Sequence, residues 1–250
     1  MNIAANLERA AFFFPGRPAL SSLKRELTYS ELDEKTGLLA ASLLEIGLKA
    51  GERVVLCAAN SPEWVISYFG ILKAGGVAVT LSSVLSPDEL SLLVNHAKPR
   101  FVVTDSVERF KDLGVSLEMI IGPGGDMDTS GLIDRAPGPL KSVDRHRSDV
   151  AAILYTGGTT GIPKGVMLTH ENISVTAQNV AFVERSTEAD RALCFLPLHH
   201  VFGQVHIMLG TILSAGSIEL LSSFDMDHVL GILINRARET SRLQGCAAGK

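Results

Sequence analysis

The sequence has little that points to secretion, membranes or nucleic acid. Only three cysteines occur in 250 residues, Cys57, Cys194 and Cys246, odd in number and far apart, which excludes a disulfide framework. Cys57 and Cys194 sit in apolar, strand-like runs and read as free buried thiols of a reducing compartment. No apolar run approaches the ~20 residues of a membrane span. The short run Ala10–Phe14 follows Glu8 and Arg9 and lacks a small-residue cleavage pattern, so it is not read as a secretory signal. Basic residues number 23 against 27 acidic ones, the net charge is −4, and no Lys/Arg cluster exists, which argues against a nucleic-acid partner. Internal repeats and heptads are absent as well. A cytoplasmic globular protein is expected, without a transmembrane segment.

The residues present are 46% hydrophobic, enough for one large domain or two small ones. Residues 1–20 read as a short helix and a Pro-Gly-Arg-Pro turn. Thr28 and Glu31 have capping-box spacing, and Leu32, Thr36, Leu39, Leu43 and Ile46 form one helical stripe that Gly47 ends. Strand-like runs at 53–58, 77–81, 101–104 and 117–121 alternate with helices. Two of these helices start at Ser-Pro pairs, Ser61-Pro62 and Ser86-Pro87, where a missing proline N–H costs nothing. A shorter helix is expected over 107–113. This alternation predicts an α/β fold with mostly parallel sheets. The stretch 122–143 is rich in Gly, Pro, Asp and Ser and reads as a linker-like loop between two α/β lobes. Beyond it come a strand over 150–155, a strand over 166–168, a helix from Thr169 to about Glu184, a strand at 191–196, an apolar helix over 205–214 and a strand at 217–221. A last helix runs from Asp225 to about Arg238, and 241–250 is expected to be a poorly ordered tail.

Between the strands at 150–155 and 166–168 lies Thr156-Gly157-Gly158-Thr159-Thr160-Gly161-Ile162-Pro163-Lys164. Three glycines remove side-chain bulk, so successive backbone N–H groups can converge on an anion. Three threonine hydroxyls add donors, and Lys164 adds a charge whose attraction to a phosphate oxygen at ~4 Å is about 4 kcal/mol at an effective dielectric of 20. A Walker loop is excluded, because Pro163 precedes the lysine and Gly165 follows it. A plain glycine turn would need neither the threonines nor the lysine. A second cluster is Pro197-Leu198-His199-His200-Val201-Phe202-Gly203. A metal reading would recruit His199, His200 and His206, but no carboxylate or cysteine stands at ligand spacing. The plain alternative is a polar strand end with satisfied imidazoles. His170 reads as structural.

Tyr155–Gly165 resembles the phosphate-binding signature of the adenylate-forming enzymes: acyl-CoA synthetases, luciferases and peptide-synthetase adenylation domains. Gly157 stands where many members carry serine, and the Gly-Gly form is associated with fatty acyl-CoA ligases. Pro197–Gly203 is similar to the family pattern Pro-Leu-x-His-x-x-Gly, with His200 on the histidine. The resemblance implies a layered αβαβ arrangement, the N-terminal part of the family's large domain over 1–240. It implies that Thr156, Gly157, Gly158, Thr159, Thr160, Gly161 and Lys164 hold the phosphates of ATP, with Lys164 and Thr156 also catalytic. His200 and Gly203 would border the carboxylate substrate, a fatty acid on this reading. Mg2+ would arrive with ATP, no protein metal ligand is assigned, and coenzyme A would be the second substrate. The family's adenine, ribose and hinge motifs and its small C-terminal domain are not found between Gly203 and Lys250. That leads to the expectation of a truncated or split ligase, inactive alone, whose partner would be the missing C-terminal half. Two other readings stay open: a self-sufficient phosphate-binding module, and a non-catalytic remnant that binds a full-length partner.

Overall fold

A computed structural model of the chain describes residues 1–22, 25–111, 113–115, 117–156, 164–222, 226 and 229–231. Helix α1 (Ala5–Phe13) leads through a turn to two short strands, β1 (Pro18–Ser22) and β2 (Arg25–Thr28). Helix α2 (Tyr29–Glu45) starts at the expected capping box. Thr28 Oγ1 accepts the Glu31 N–H at 3.3 Å, and the Glu31 carboxylate accepts the Thr28 N–H at 2.8 Å. These bonds stabilise the ionised carboxyl and hold Glu31 below the usual carboxylate range. Next come β3 (Arg53–Cys57), α3 (Pro62–Lys73), β4 (Val77–Thr80), α4 (Pro87–Ala97), β5 (Phe101–Thr104), α5 (Glu108–Lys111) and β6 (Met119–Ile121). Ser61 and Ser86 cap α3 and α4, each with proline in the first turn. The chain continues with α6 (Thr129–Arg135), β7 (Val150–Thr156), β8 (Lys164–Thr169), α7 (His170–Val183), β9 (Arg191–Cys194), a π-helix (Phe202–Leu209), α8 (Gly210–Leu213) and β10 (Ser217–Leu220).

The strands form two sheets, and the α/β class with mostly parallel pairing holds. The larger has the order β6-β5-β3-β4-β7-β8 and is parallel except for the β7–β8 hairpin. The smaller has the order β2-β1-β10-β9 and is parallel except for β1–β2. Helix α3 touches β1 of the small sheet and both β3 and β4 of the large one. That position explains its sequence: every residue but Glu63 is buried, so the helix is apolar almost all round. A second apolar cluster on the other face of the large sheet collects Val55, Val79, Leu90, Val94, Val102 and Phe110, with α4 over β3.

Several expectations need correction. The turn after α1 runs into the strands β1 and β2, because β1 is paired by β10 from the far end of the chain, a partner that no local pattern announces. The stretch 122–143 is not loop throughout. Asp128 caps α6, and Leu132 is buried beneath it, its carbonyl accepting the Ser42 hydroxyl of α2 at 2.6 Å. The helix expected over 107–113 is cut to Glu108–Lys111, and the apolar helix starts at Phe202 rather than 205. In the expected helix from Asp225 to Arg238, residues 226 and 229–231 are described and helical; the rest of it and the tail 241–250 lie outside the described residues.

His170 is structural, as its position suggested. It is buried at the start of α7, and its Nδ1 accepts the Ile3 N–H at 3.1 Å. Desolvation, then the nearby Arg145 and N-terminal charges, push its pKa down to about 4. The folded value lies below the ordinary 6.5, so on acidification the unfolded chain takes up the proton first. This contribution to stability is therefore complete above pH 6.5 and is lost as pH falls towards 4. At about 1.4 kcal/mol per unit, discounted for partial solvation, acidification from pH 7 to about 4.5 is expected to cost about 2 kcal/mol through this residue. Urea unfolding of the wild type and His170→Asn at both pH values checks this; equal pH dependence in the two proteins would refute it.

Candidate functional site

The carboxyl ends of the parallel strands of both sheets meet along one seam, where an open α/β sheet ordinarily binds ligands. Asn60, just after β3, ties the two sheets together there. Its Nδ2 donates to the carbonyls of Leu196 (2.9 Å) and Leu221 (3.2 Å), beyond β9 and β10, and its Oδ1 accepts the Leu198 N–H at 2.8 Å. A second clamp is buried beneath. Tyr68 donates to Gln204 Oε1 at 3.3 Å, and Gln204 Nε2 donates to Thr80 Oγ1 (3.2 Å) and to the Leu198 carbonyl (3.1 Å). Thr80 in turn donates to the His199 carbonyl at 3.3 Å. The turn Pro197–His200 is thus held from β3, β4, α3 and the π-helix at once. Asn60 and Gln204 were not singled out from the sequence. Asn60 directly precedes the expected helix start at Ser61-Pro62, and Gln204 lies just before the helix expected over 205–214; what marks Gln204 is its burial, and that needs the fold.

Two cavities flank this turn. The larger, 560 Å³, lies between the sheets and is lined by Ala58, Ala59, Val84, Phe195, Pro197 and His199 among others. The smaller, 230 Å³, is lined by Thr80, Leu154, Thr156, His199, His200 and Val201 among others. His199 therefore borders both, and His200 borders the smaller. Partial burial and then the neighbouring His200 lower the pKa of His199, which favours its neutral form. Gly203 is buried behind the turn: a Cβ there would lie 2.4 Å from the Pro197 carbonyl oxygen. The close neighbour is the motif's own turn. His206 has turned away, with Nε2 2.7 Å from Glu184 and its ring stacked on Phe202. Among the described residues, no group of three His, Cys, Asp or Glu side chains is placed to hold a metal ion.

The glycine and threonine loop joins β7 to β8. Its Gly157, Gly158, Thr159, Thr160 and Gly161 lie outside the described residues. Its two ends are described: Thr156 and Lys164 stand opposite each other as the last antiparallel pair, both exposed. Directly opposed residues share a sheet face, and so do residues two apart. Lys164 therefore sits on the sheet face of Thr156 and Leu154, which border the smaller cavity together with Tyr155. Tyr155 points the other way, its hydroxyl 2.7 Å from His96 Nδ1, and a Cβ at Gly165 would meet Ile153 at 3.1 Å and the Tyr155 ring at 3.4 Å. The fold thus brings Thr156, at the base of the loop, to the same cavity as the paired imidazoles.

The AMP-binding enzyme family model matches residues 7–240 of the chain. A 4-coumarate-CoA ligase of Narcissus pseudonarcissus is 30% identical over 234 residues, 88% of this chain and 43% of the relative. A long-chain-fatty-acid–CoA ligase of Bacillus subtilis is 28% identical over 264 residues, 91% of this chain and 47% of the relative. Among solved structures, an anthranilate CoA ligase in complex with anthranoyl-AMP superposes with a TM-score of 0.84 at 28% identity, over 90% of this chain and 45% of that one. The chain spans less than half the length of each of these three. Among the described residues, no helix is long and apolar enough to cross a membrane.

Proposed function

The chain belongs to the AMP-binding enzyme family, and on that premise we propose that it supplies the phosphate-gripping and acid-binding part of an AMP-forming carboxylate–CoA ligase. In that reaction a carboxylate oxygen attacks the α-phosphorus of ATP and pyrophosphate leaves. The thiol of coenzyme A then attacks the acyl carbon and AMP leaves. Negative charge builds on the phosphates in the first step, so donors already aimed at them lower its barrier. Lys164, Thr156 and the loop residues Gly157, Gly158, Thr159, Thr160 and Gly161 take that role. Mg2+ is carried on the ATP phosphates. His200, with His199 beside it, borders the carboxylate, and the apolar 560 Å³ cavity between the sheets takes the acyl group. A fatty acid is the substrate class favoured by the Gly157-Gly158 form of the loop, and the fatty-acid ligase among the relatives is in keeping with it. Gly203 serves by letting the histidine turn close on the π-helix. The reaction is assigned to the cytoplasm, where Cys57 and Cys194, both buried and with thiol pKa values pushed up to about 12, stay reduced.

The observation that carries this reading is the shared cavity: Thr156, at the base of the loop, and His199 and His200 line the same 230 Å³ space. Isothermal calorimetry with tripolyphosphate tests it. Lys164→Ala is expected to bind about tenfold more weakly than the wild type, the loss of one charge-assisted contact of about 1.4 kcal/mol. Equal affinities would remove the lysine from the site. Tighter tripolyphosphate binding in the presence of a fatty acid supports the ligase reading, whereas binding indifferent to any carboxylate favours a bare phosphate-binding module.

A further inference from the structure

We propose that Val84 is a specificity-determining residue for the acyl group and that Arg109 is the residue that positions it; both assignments rest on the reading of the 560 Å³ cavity as the acyl site. The two cavities at the seam share a wall. On one side of it stands His199, which borders both. On the other side is the loop that follows β4. Ser82 borders both cavities, Ser83 and Val84 border the larger, and Leu85 borders the smaller. An acid whose carboxylate lies by His200 in the smaller cavity therefore passes its chain between Ser82 and His199 and out over Val84.

The backbone of this loop is held while the Val84 side chain is left free. The guanidinium of Arg109, from α5, donates through Nη1 to the Ser83 carbonyl and through Nη2 to the Leu85 carbonyl, the residues on either side of Val84. A planar fork holds two carbonyls at once, which a single ammonium on a flexible stem does less well. From β3, the Cys57 thiol donates to the Ser82 carbonyl at 3.4 Å, and the Val84 N–H donates to Ser82 Oγ at 3.3 Å. Yet Val84 itself is 88% exposed, more than any other large apolar residue described. A lone valine on an open surface would need no explanation. This one stands on the rim of an apolar cavity, on backbone pinned from two elements, where an entering methylene chain would take it out of water. The arrangement suits an unbranched acid long enough to reach the rim; the first few carbons of any acid stay inside the wall.

Isothermal calorimetry with butyrate and decanoate on the full chain reads the selection. The wild type is expected to bind decanoate at least about tenfold more tightly, because the added methylenes lie on the cavity wall and on Val84. Val84→Asp sets a charge on the rim and should cut that preference about tenfold, and Val84→Ala about threefold. Arg109→Lys keeps the charge but loses the fork, so its preference should fall about as far as that of Val84→Ala although Val84 is still present. A general loss of stability would not move the ratio of two ligands on one protein. Leu92→Asp, at an exposed position of α4 that borders neither cavity, is the control and should keep the wild-type ratio. A wild-type preference that survives both Val84 substitutions overturns the inference and leaves the acyl reading standing. An unchanged ratio in Arg109→Lys removes Arg109 from it. Equal binding of the two acids by the wild type also overturns the inference, and a wild type that binds neither acid overturns the acyl reading with it.

Discussion

Gly203→Ala is expected to destabilise the chain by about 3 kcal/mol and to displace the histidine turn, among the largest effects of any single methyl group here. The added carbon would lie 2.4 Å from the Pro197 carbonyl oxygen, 3.0 Å from its carbon and 3.1 Å from the Leu196 carbonyl oxygen. All three are backbone atoms, and they are held in place. The Leu196 carbonyl accepts from Asn60, and the Pro197 carbonyl accepts the His200 N–H at 3.1 Å. A flexible side chain could yield to the methyl group, but this backbone yields only by breaking its bonds. The turn that moves carries His199 and His200, so stability and phosphate-dependent acid binding should fall together. Gly16→Ala is the control, because nothing lies within 4 Å of a Cβ there, and its change should stay within about 0.5 kcal/mol. Urea unfolding of the two variants measures the difference. A Gly203→Ala protein as stable as Gly16→Ala would mean that the turn is looser than its bonds imply.

Lys73→Met is the second large effect, expected at about 3–5 kcal/mol. Lys73 ends α3 fully buried, with Nζ 2.6 Å from Asp33 Oδ1, 2.9 Å from the Asp33 carbonyl and 3.9 Å from Glu8. Burial pulls its pKa below the ordinary lysine value, while Asp33 and Glu8 pull it back. Methionine fills the same space but leaves the Asp33 and Glu8 carboxylates, both largely covered, without their cation; the exposed Lys141 at 3.3 Å from Asp33 compensates little. The cost belongs to the stranded acids, so adding Asp33→Asn to Lys73→Met should recover part of it. A double-mutant cycle on urea unfolding reads the coupling, and strictly additive losses would contradict the account.

Much of the framework was legible because local chemistry and final structure agree. The caps at Thr28, Ser61 and Ser86 and the apolar periodicity of α2 placed those helices within a residue or two. The strands β3, β4 and β5 are short β-rich runs bounded by turn residues, and they pair as such runs do in a parallel sheet. The β7–β8 hairpin was marked by the glycine-rich loop between two apolar runs. What stayed hidden depends on distant partners. Pro18–Ser22 and Arg25–Thr28 carry mixed polar residues with no strict alternation, and the pair is joined to a sheet by β10, roughly 200 residues on. In α6 the cap Asp128 was masked by the glycines and prolines around it. The π-helix at Phe202–Leu209 has no sequence signature; its apolar pattern reads as an ordinary helix. The same holds at the site. The loop and the histidine pair were visible as motifs, whereas Asn60 and Gln204, which hold the histidine turn, are ordinary residues until both sheets are assembled.

The parallel pairing of Leu20 with Ile218 also has a consequence for synthesis. At about 5–20 residues per second, a ribosome takes roughly 10–40 s to travel from one to the other. Throughout that interval the nascent chain carries β1 with one flank bare, and β10, once made, must find it across roughly 200 intervening residues before the two can pair.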